Sequence, residues 1–198
     1  MFSIISIFAM PSTAAAMTPS ELTLALTDFD CTSVTIPEAQ CGTLTGLYTS
    51  TNGSNWSTKT DWFVTDSCNW HGVSCHSGNV VALAFNSNNL HGPITPKIND
   101  LPTLQALDLW KNKITSIPAE IGELSNLGFL NLGANQLVTL PVSLTNMPTL
   151  TTPNFNIAYN AIEVADPTLV QFPASILNIY PPRKKKLTLP GPSTNKIT

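Results

Sequence analysis

Two adjacent stretches of the chain share one pattern of apolar and polar positions. LQALDLWKNKITSIPAEIGELSN, residues 104–126, aligns with LGFLNLGANQLVTLPVSLTNMPT, residues 127–149, at a period of 23. Leu104, Leu107, Leu109, Asn112, Ile114, Ile117, Pro118, Ile121 and Leu124 fall on Leu127, Leu130, Leu132, Asn135, Leu137, Leu140, Pro141, Leu144 and Met147. An LxxLxLxxNxL pattern at a period of roughly 20–29 predicts stacked repeat units. Leu107 and Leu109 are two apart, the spacing of a strand with both side chains on one face. Asn112 follows where the strand bends away. Its amide donates and accepts, so it suits backbone groups left unpaired inside the coil. Ile114, Ile117, Ile121 and Leu124 return the chain along the other side of the same core. One unit cannot bury its apolar edge alone. Stacked units do so by forming a parallel sheet with strands about 4.8 Å apart.

The register extends in both directions. Residues 80–103 form a preceding unit, with Leu83, Phe85, Asn88, Leu90, Ile94, Ile98 and Leu101 in the repeat positions. A fourth unit starts at Thr152 with Phe155, Ile157, Asn160 and Ile162, and Phe172, Pro173 and Ile176 echo Leu140, Pro141 and Leu144. The spacing from Asn160 to Phe172 is 12, against 5 from Asn135 to Leu140, which predicts a seven-residue insertion near Glu163 to Thr168. The fold class expected is α/β: a short solenoid with a parallel sheet on its concave face and turns and short helices on its convex face.

Residues 20–79 carry no repeat. A helix is expected over Glu21 to Leu26 behind Ser20 as N-cap. A second is expected over Ala39 to Thr49, with Leu44, Leu47 and Tyr48 on one side. Trp56, Trp62 and Trp70 follow within fifteen residues. The run LYTSTNGSNWSTKTDWFVTDSCNWHGVSC resembles the N-terminal capping domain of plant-type leucine-rich repeat proteins, which show an apolar helix, NW, a spaced Trp, and C-x-W-x-G-V-x-C. Here those residues are Leu44, Leu47, Asn55, Trp56, Trp62, Cys68, Trp70, Gly72, Val73 and Cys75. Leu90, Gly92 and Ile94 resemble that family's L-x-G-x-I run, with Thr95 where the family usually has Pro. With the repeats, the resemblance covers roughly residues 20–180. It implies that Cys68 and Cys75 form a disulfide and that a helical cap covers the first repeat's open core. An uncapped solenoid would expose a sheet edge and apolar surface, so the physics agrees.

The four cysteines, Cys31, Cys41, Cys68 and Cys75, are an even count confined to the N-terminal part, which fits an oxidising compartment. Three connectivities are open to them; the local pairing, Cys31 with Cys41 and Cys68 with Cys75, is the one expected. Met1 to Ala16 is short and apolar, with Ala14 and Ala16 before a cleavage position, and resembles a secretory signal peptide. It is too short to span a bilayer. Asn52-Gly-Ser and Asn55-Trp-Ser are N-glycosylation sequons. The expected organisation is thus residues 1–16 signal peptide, 17–79 cap, 80–180 about four repeats with the last irregular, and 181–198 a basic, Pro-containing tail. The product would be secreted or extracellular.

Charge narrows the partners. Only 11 % of residues are charged and 42 % are apolar, so Ser, Thr and Asn cover much of the surface. Five of the nine Lys and Arg residues follow residue 182, which leaves residues 1–182 with a net charge of −8. An acidic body is unsuited to nucleic acid, which needs clustered basic residues. The run Arg183 to Lys186 reads as a solvated tail.

The motifs of catalysis are missing. HExxH, GxSxG, a phosphate-cradling Gly-rich loop and a kinase signature do not occur. Cys68, His71, Cys75 and His76 have a spacing that zinc could use, but the tryptophan motif around them favours the disulfide. Asp28/Asp30 and Glu120/Glu123 read as solvated pairs. No enzyme activity, cofactor or metal is expected.

Recognition is therefore expected on the strand face. Residues alternating with the buried leucines fall in four columns. They are Ala82, Ala106, Phe129, Asn154; Ala84, Asp108, Asn131, Asn156; Asn86, Trp110, Gly133, Ala158; and Ser87, Lys111, Ala134, Tyr159. Trp110, Phe129 and Tyr159 have no core to enter from there. With Asp108, Lys111, Asn131, Asn154 and Asn156 they make a candidate patch for a protein, peptide or glycan, because aromatic anchors with polar neighbours dominate binding hot spots. The alternatives are the extracellular piece of a receptor that lacks its membrane and signalling parts and, ranked lower, an ice- or cell-wall-surface binder using regular outer rows.

Overall fold

The computed structural model describes residues 29–147, 150 and 154–162. The expectations for residues 1–16, for Glu21 to Leu26, for the insertion near Glu163 to Thr168, for the echo at Phe172, Pro173 and Ile176, and for the tail from residue 181 lie outside the described residues.

In chain order the regular elements are helix α1 (Glu38–Ser50) and strands β1 (Val73–His76), β2 (Asn79–Ala84), β3 (His91–Pro93), β4 (Ala106–Asp108), β5 (Lys113–Ser116), β6 (Phe129–Asn131) and β7 (Phe155–Asn156). Strands β2, β4, β6 and β7 pair in parallel. Leu83, Leu107, Leu130 and Phe155 fall on one another in register, and all four are buried. Phe85, Leu109, Leu132 and Ile157 form a second buried row two residues on. Each fully buried leucine contributes about 1.5–3 kcal/mol of burial free energy, so the two rows hold the stack together. Opposite the sheet, 3-10 helices at Pro96–Asp100, Ala119–Glu123 and Val142–Asn146 bury Ile98, Ile121 and Leu144.

The asparagine ladder runs through the core. Asn88, Asn112 and Asn135 are buried. Asn112 Nδ2 donates to Phe85 O at 2.8 Å and Leu109 O at 3.0 Å. Asn135 Nδ2 donates to Leu109 O at 2.9 Å and Leu132 O at 3.0 Å, and its Oδ1 accepts Ile114 N at 2.9 Å. Asn160 repeats the pattern with Leu132 O, Ile157 O and Leu137 N. Each amide thus ties its own turn to the turn of the unit before.

Two features go beyond the sequence-based expectation. Strand β1 pairs antiparallel with β2 and ends the sheet on the cap side. His91 opens strand β3, which pairs in parallel with β5 as a second, two-stranded sheet. The reason is backbone bookkeeping: groups leaving each buried asparagine still need partners, and the neighbouring unit offers them at the same period. Lys113 N donates to Leu90 O at 2.7 Å, and Gln136 N to Ile114 O at 2.9 Å.

The cap is an aromatic box closed by α1. Leu44, Leu47 and Tyr48 are buried on one side of the helix. Trp56 and Trp62 sit 5.1 and 5.9 Å, centroid to centroid, from Phe85 of the first repeat. The buried indoles keep their N–H groups satisfied: Trp56 on Thr51 O, Trp62 on His71 O and Trp70 on Thr65 O. Gly72 has φ +83°, and a Cβ there would meet the Phe85 ring. Disulfides join Cys31 to Cys41 and Cys68 to Cys75, each with a Cα–Cα distance of 5.6 Å. Cys68 and Cys75 are therefore not thiolate ligands for zinc. Among the described residues no helix is long and apolar enough to cross a membrane.

Candidate recognition face

The four outer columns follow from the strand register. Ala82, Ala106 and Phe129 are partners across β2, β4 and β6, as are Ala84, Asp108 and Asn131, with Asn156 next on β7. The third column continues past the strand ends: Ser87 N donates to Trp110 O, Lys111 N to Gly133 O and Ala134 N to Ala158 O. The ladder is therefore unbroken as far as the fourth column. There Ser87, Lys111, Ala134 and Tyr159 all take the left-handed conformation, with φ of 52°, 56°, 56° and 61°. This conformation turns the chain inward so that the next residue, the ladder asparagine, enters the core.

The candidate residues divide into two groups. Asp108, Asn131 and Asn156 bind their own strands. Their Oδ1 atoms accept Trp110 N at 3.1 Å, Gly133 N at 3.3 Å and Ala158 N at 2.9 Å. Laterally, Asn86 Nδ2 donates to Asp108 Oδ2 at 3.2 Å, and Asn156 Nδ2 to Asn131 Oδ1 at 3.0 Å. This column stiffens the ends of the strands, a role the residue types alone do not reveal. Trp110, Phe129 and Tyr159 form the other group. They are 39, 36 and 67 % exposed, while the leucines beside them are buried. Asn154 is also exposed. Lys111 Nζ lies 5.6 Å from the Trp110 ring centroid, a cation–π contact.

The aromatic groups are not one cluster. Phe129 stands level with Ala106, four residues before the position of Trp110 on its strand, or roughly 13 Å along the sheet. Trp110, Lys111 and Tyr159 share the other end of the strands. Between them the third unit carries only the small residues Gly133 and Ala134, and Gly133 is buried beneath the Asn156 side chain. A shallow trough results, walled by Trp110 and Lys111 on one side and Tyr159 on the other. Asn156 keeps the floor in place: a Cβ on Gly133 would stand 2.7 Å from Asn156 Nδ2.

Three exposed residues beside this end of the strands lie outside the four outer columns. His91 and Lys113 are register partners in the second sheet, and both are exposed. Gln136 is exposed at the equivalent place in the third unit. The period itself was a usable signal, since Lys113 lies two residues beyond Lys111 across the buried Asn112. The sequons are on the loop after α1, against the first repeat, where Asn89 Nδ2 donates to Asn55 O at 2.8 Å. Asn52 and Asn55 are exposed there, and Asn55 Nδ2 donates to Asn52 Oδ1 at 2.9 Å.

Comparison with known proteins follows the same lines. The family model "Leucine rich repeat" matches residues 102–152. Receptor-like protein 5 of Arabidopsis thaliana is 39 % identical over 110 residues, covering 55 % of this chain and 41 % of that protein. Receptor-like kinase TMK4 of the same plant is 34 % identical over 67 residues, covering 33 % of this chain and 7 % of the kinase. The chain thus spans less than half the length of either relative. Among solved structures, the leucine-rich repeat ectodomain of the Arabidopsis receptor kinase HAESA, in complex with an N-terminally extended IDA peptide hormone, matches with a TM-score of 0.50 and 29 % identity, over 61 % of this chain and 21 % of that one.

Proposed function

Because the chain is a plant-type leucine-rich repeat protein, we propose that it is a non-catalytic recognition module whose strand face binds a peptide or a protein segment. The observation that carries this reading is the exposure of Trp110, Phe129 and Tyr159 on a face whose remaining outer positions hold only small or polar side chains. Large aromatic side chains left in solvent on a rigid sheet are characteristic anchors of binding. The similarity to the HAESA ectodomain, whose structure holds a peptide hormone, supports a peptide over a glycan. Asp108, Asn131 and Asn156 position the face, and Trp110, Lys111, Phe129, Asn154 and Tyr159 contact the ligand. Asn52 and Asn55, on the loop after α1, are N-glycan acceptors. Two disulfides and receptor-like relatives support an extracellular setting.

A second reading is that the chain forms the ligand-binding piece of a larger receptor. The small share of each relative that it covers favours this. Transcript sequencing across residue 198 tests it, since an open frame continuing into an apolar span is the expected result.

The face itself is tested by screening the full chain on peptide and glycan arrays beside a Trp110→Ala, Tyr159→Ala double variant. A peptide hit lost in the folded variant is expected. A hit retained by the folded variant would move the site off the strand face.

A further inference from the structure

The charges of the repeats are segregated. Asp100, Glu120 and Glu123 lie on the 3-10 helices of the convex side, with Lys97 the one cation among them. The end of the strand face has the opposite sign. Lys111 and Lys113 flank buried Asn112, so both project away from the core, and His91 is the register partner of Lys113. Among the described residues neither lysine is held by an ion pair; Lys111 instead rests on Trp110. The nearest acidic residue in sequence, Asp108, is occupied by Asn86 and by Trp110 N. Two exposed lysines thus stand on either side of Asn112, next to the Trp110 wall of the trough, on a body whose first 182 residues carry a net charge of −8.

We propose that this rim binds an acidic peptide segment, with Lys111 and Lys113 meeting its carboxylates and Trp110 packing on the adjacent apolar side chain. The inference rests on the recognition reading above and adds the chemistry of the ligand. The trough favours a peptide. Its walls stand two strand spacings apart, roughly 10 Å, which admits one extended chain above Ala134 and the Asn156 amide. The acidic residues Asp100, Glu120 and Glu123 lie on the convex side, so the two lysines also steer an acidic ligand toward the trough rather than toward those helices.

The test is a displayed library of random heptapeptides panned against the full chain and against a Lys111→Asn, Lys113→Gln variant. Asn suits the left-handed backbone at residue 111, which protects the fold. Lys97→Gln on the convex side is the control. Peptides enriched in Asp and Glu on the wild type and on Lys97→Gln are expected. Their binding should weaken about tenfold in the double variant, the size of two exposed charge pairs, and should weaken with added salt. Binders with no acidic bias, held equally by the double variant, overturn the acidic ligand and leave the recognition face standing. No enriched peptide at all overturns both readings. Tight binding of hexagalacturonate in the absence of peptide binders replaces the peptide with an anionic glycan.

Discussion

Asn112 Oδ1 accepts the main-chain N–H of Asn88 at 3.1 Å and that of Leu90 at 3.0 Å, one unit earlier in the chain. The same amide donates to carbonyls on both units. Asn112→Ala leaves these buried groups unpaired and should cost on the order of 1–3 kcal/mol. The urea midpoint reads the loss, and hydrogen exchange at Asn88 and Leu90 locates it. An unchanged midpoint with unchanged protection would show that the ladder does not hold the units together.

The ladder was legible because its geometry repeats. A period of 23 writes the same asparagine, leucines and returning isoleucines once per turn, so every unit supports the reading of the next. The strand β1 and the β3–β5 sheet were not legible. Both are made by backbone groups finding partners, and backbone groups look alike at every residue. The outer columns were legible as positions but not as roles. Asp108 and Asn131 look like ligand-binding residues in the sequence. Only the placement of Trp110 N and Gly133 N shows that their side-chain Oδ1 atoms are already taken.

Gly72 gives the capping motif its physical content. Its φ of +83° suits glycine, and a Cβ would strike the Phe85 ring and approach Ala84 O to 2.7 Å. Gly72→Ala therefore adds left-handed strain to overpacking where cap and first repeat meet. A loss on the order of 3 kcal/mol is expected in thermal or urea unfolding. Tryptophan fluorescence should shift red with it as Trp56 and Trp62 loosen. A variant with native stability and unshifted emission would remove Gly72 from the joint.

Tyr48 shows the opposite sign. Its ring packs against Trp56, Trp62 and Phe63, but its hydroxyl is buried with no partner among the described residues. Burial pushes the phenol up to about 12. Tyr48→Phe removes the unpaired group and should leave stability equal or raise it by up to about 1 kcal/mol. The pH dependence separates this from a neutral change. The unfolded phenol ionises near pH 10 while the folded one stays protonated, so wild-type stability falls between about pH 10 and 12. Tyr48→Phe should lack that part of the decline. Parallel alkaline profiles for the two proteins would contradict the buried phenol.

Asp66 joins the two disulfide-bearing segments of the cap. Its Oδ2 accepts Thr35 N at 2.7 Å, and its Oδ1 accepts Thr35 Oγ1 at 2.9 Å and Cys68 N at 3.0 Å. Desolvation works against the carboxylate, but the three hydrogen bonds, from Cys68 first and then Thr35, together hold its pKa below the ordinary aspartate value. The contribution is fully present above the unfolded value near pH 4. It is lost as the pH falls through the lower folded value, because the unfolded chain takes up the proton first. Wild-type stability should therefore decline below about pH 4, and Asp66→Asn should decline less over the same range. Urea unfolding at pH 2, 3, 4 and 6 measures both slopes. Equal slopes would mean that the Thr35–Asp66 link does not bind the cap together, and that the disulfides alone hold these segments in place.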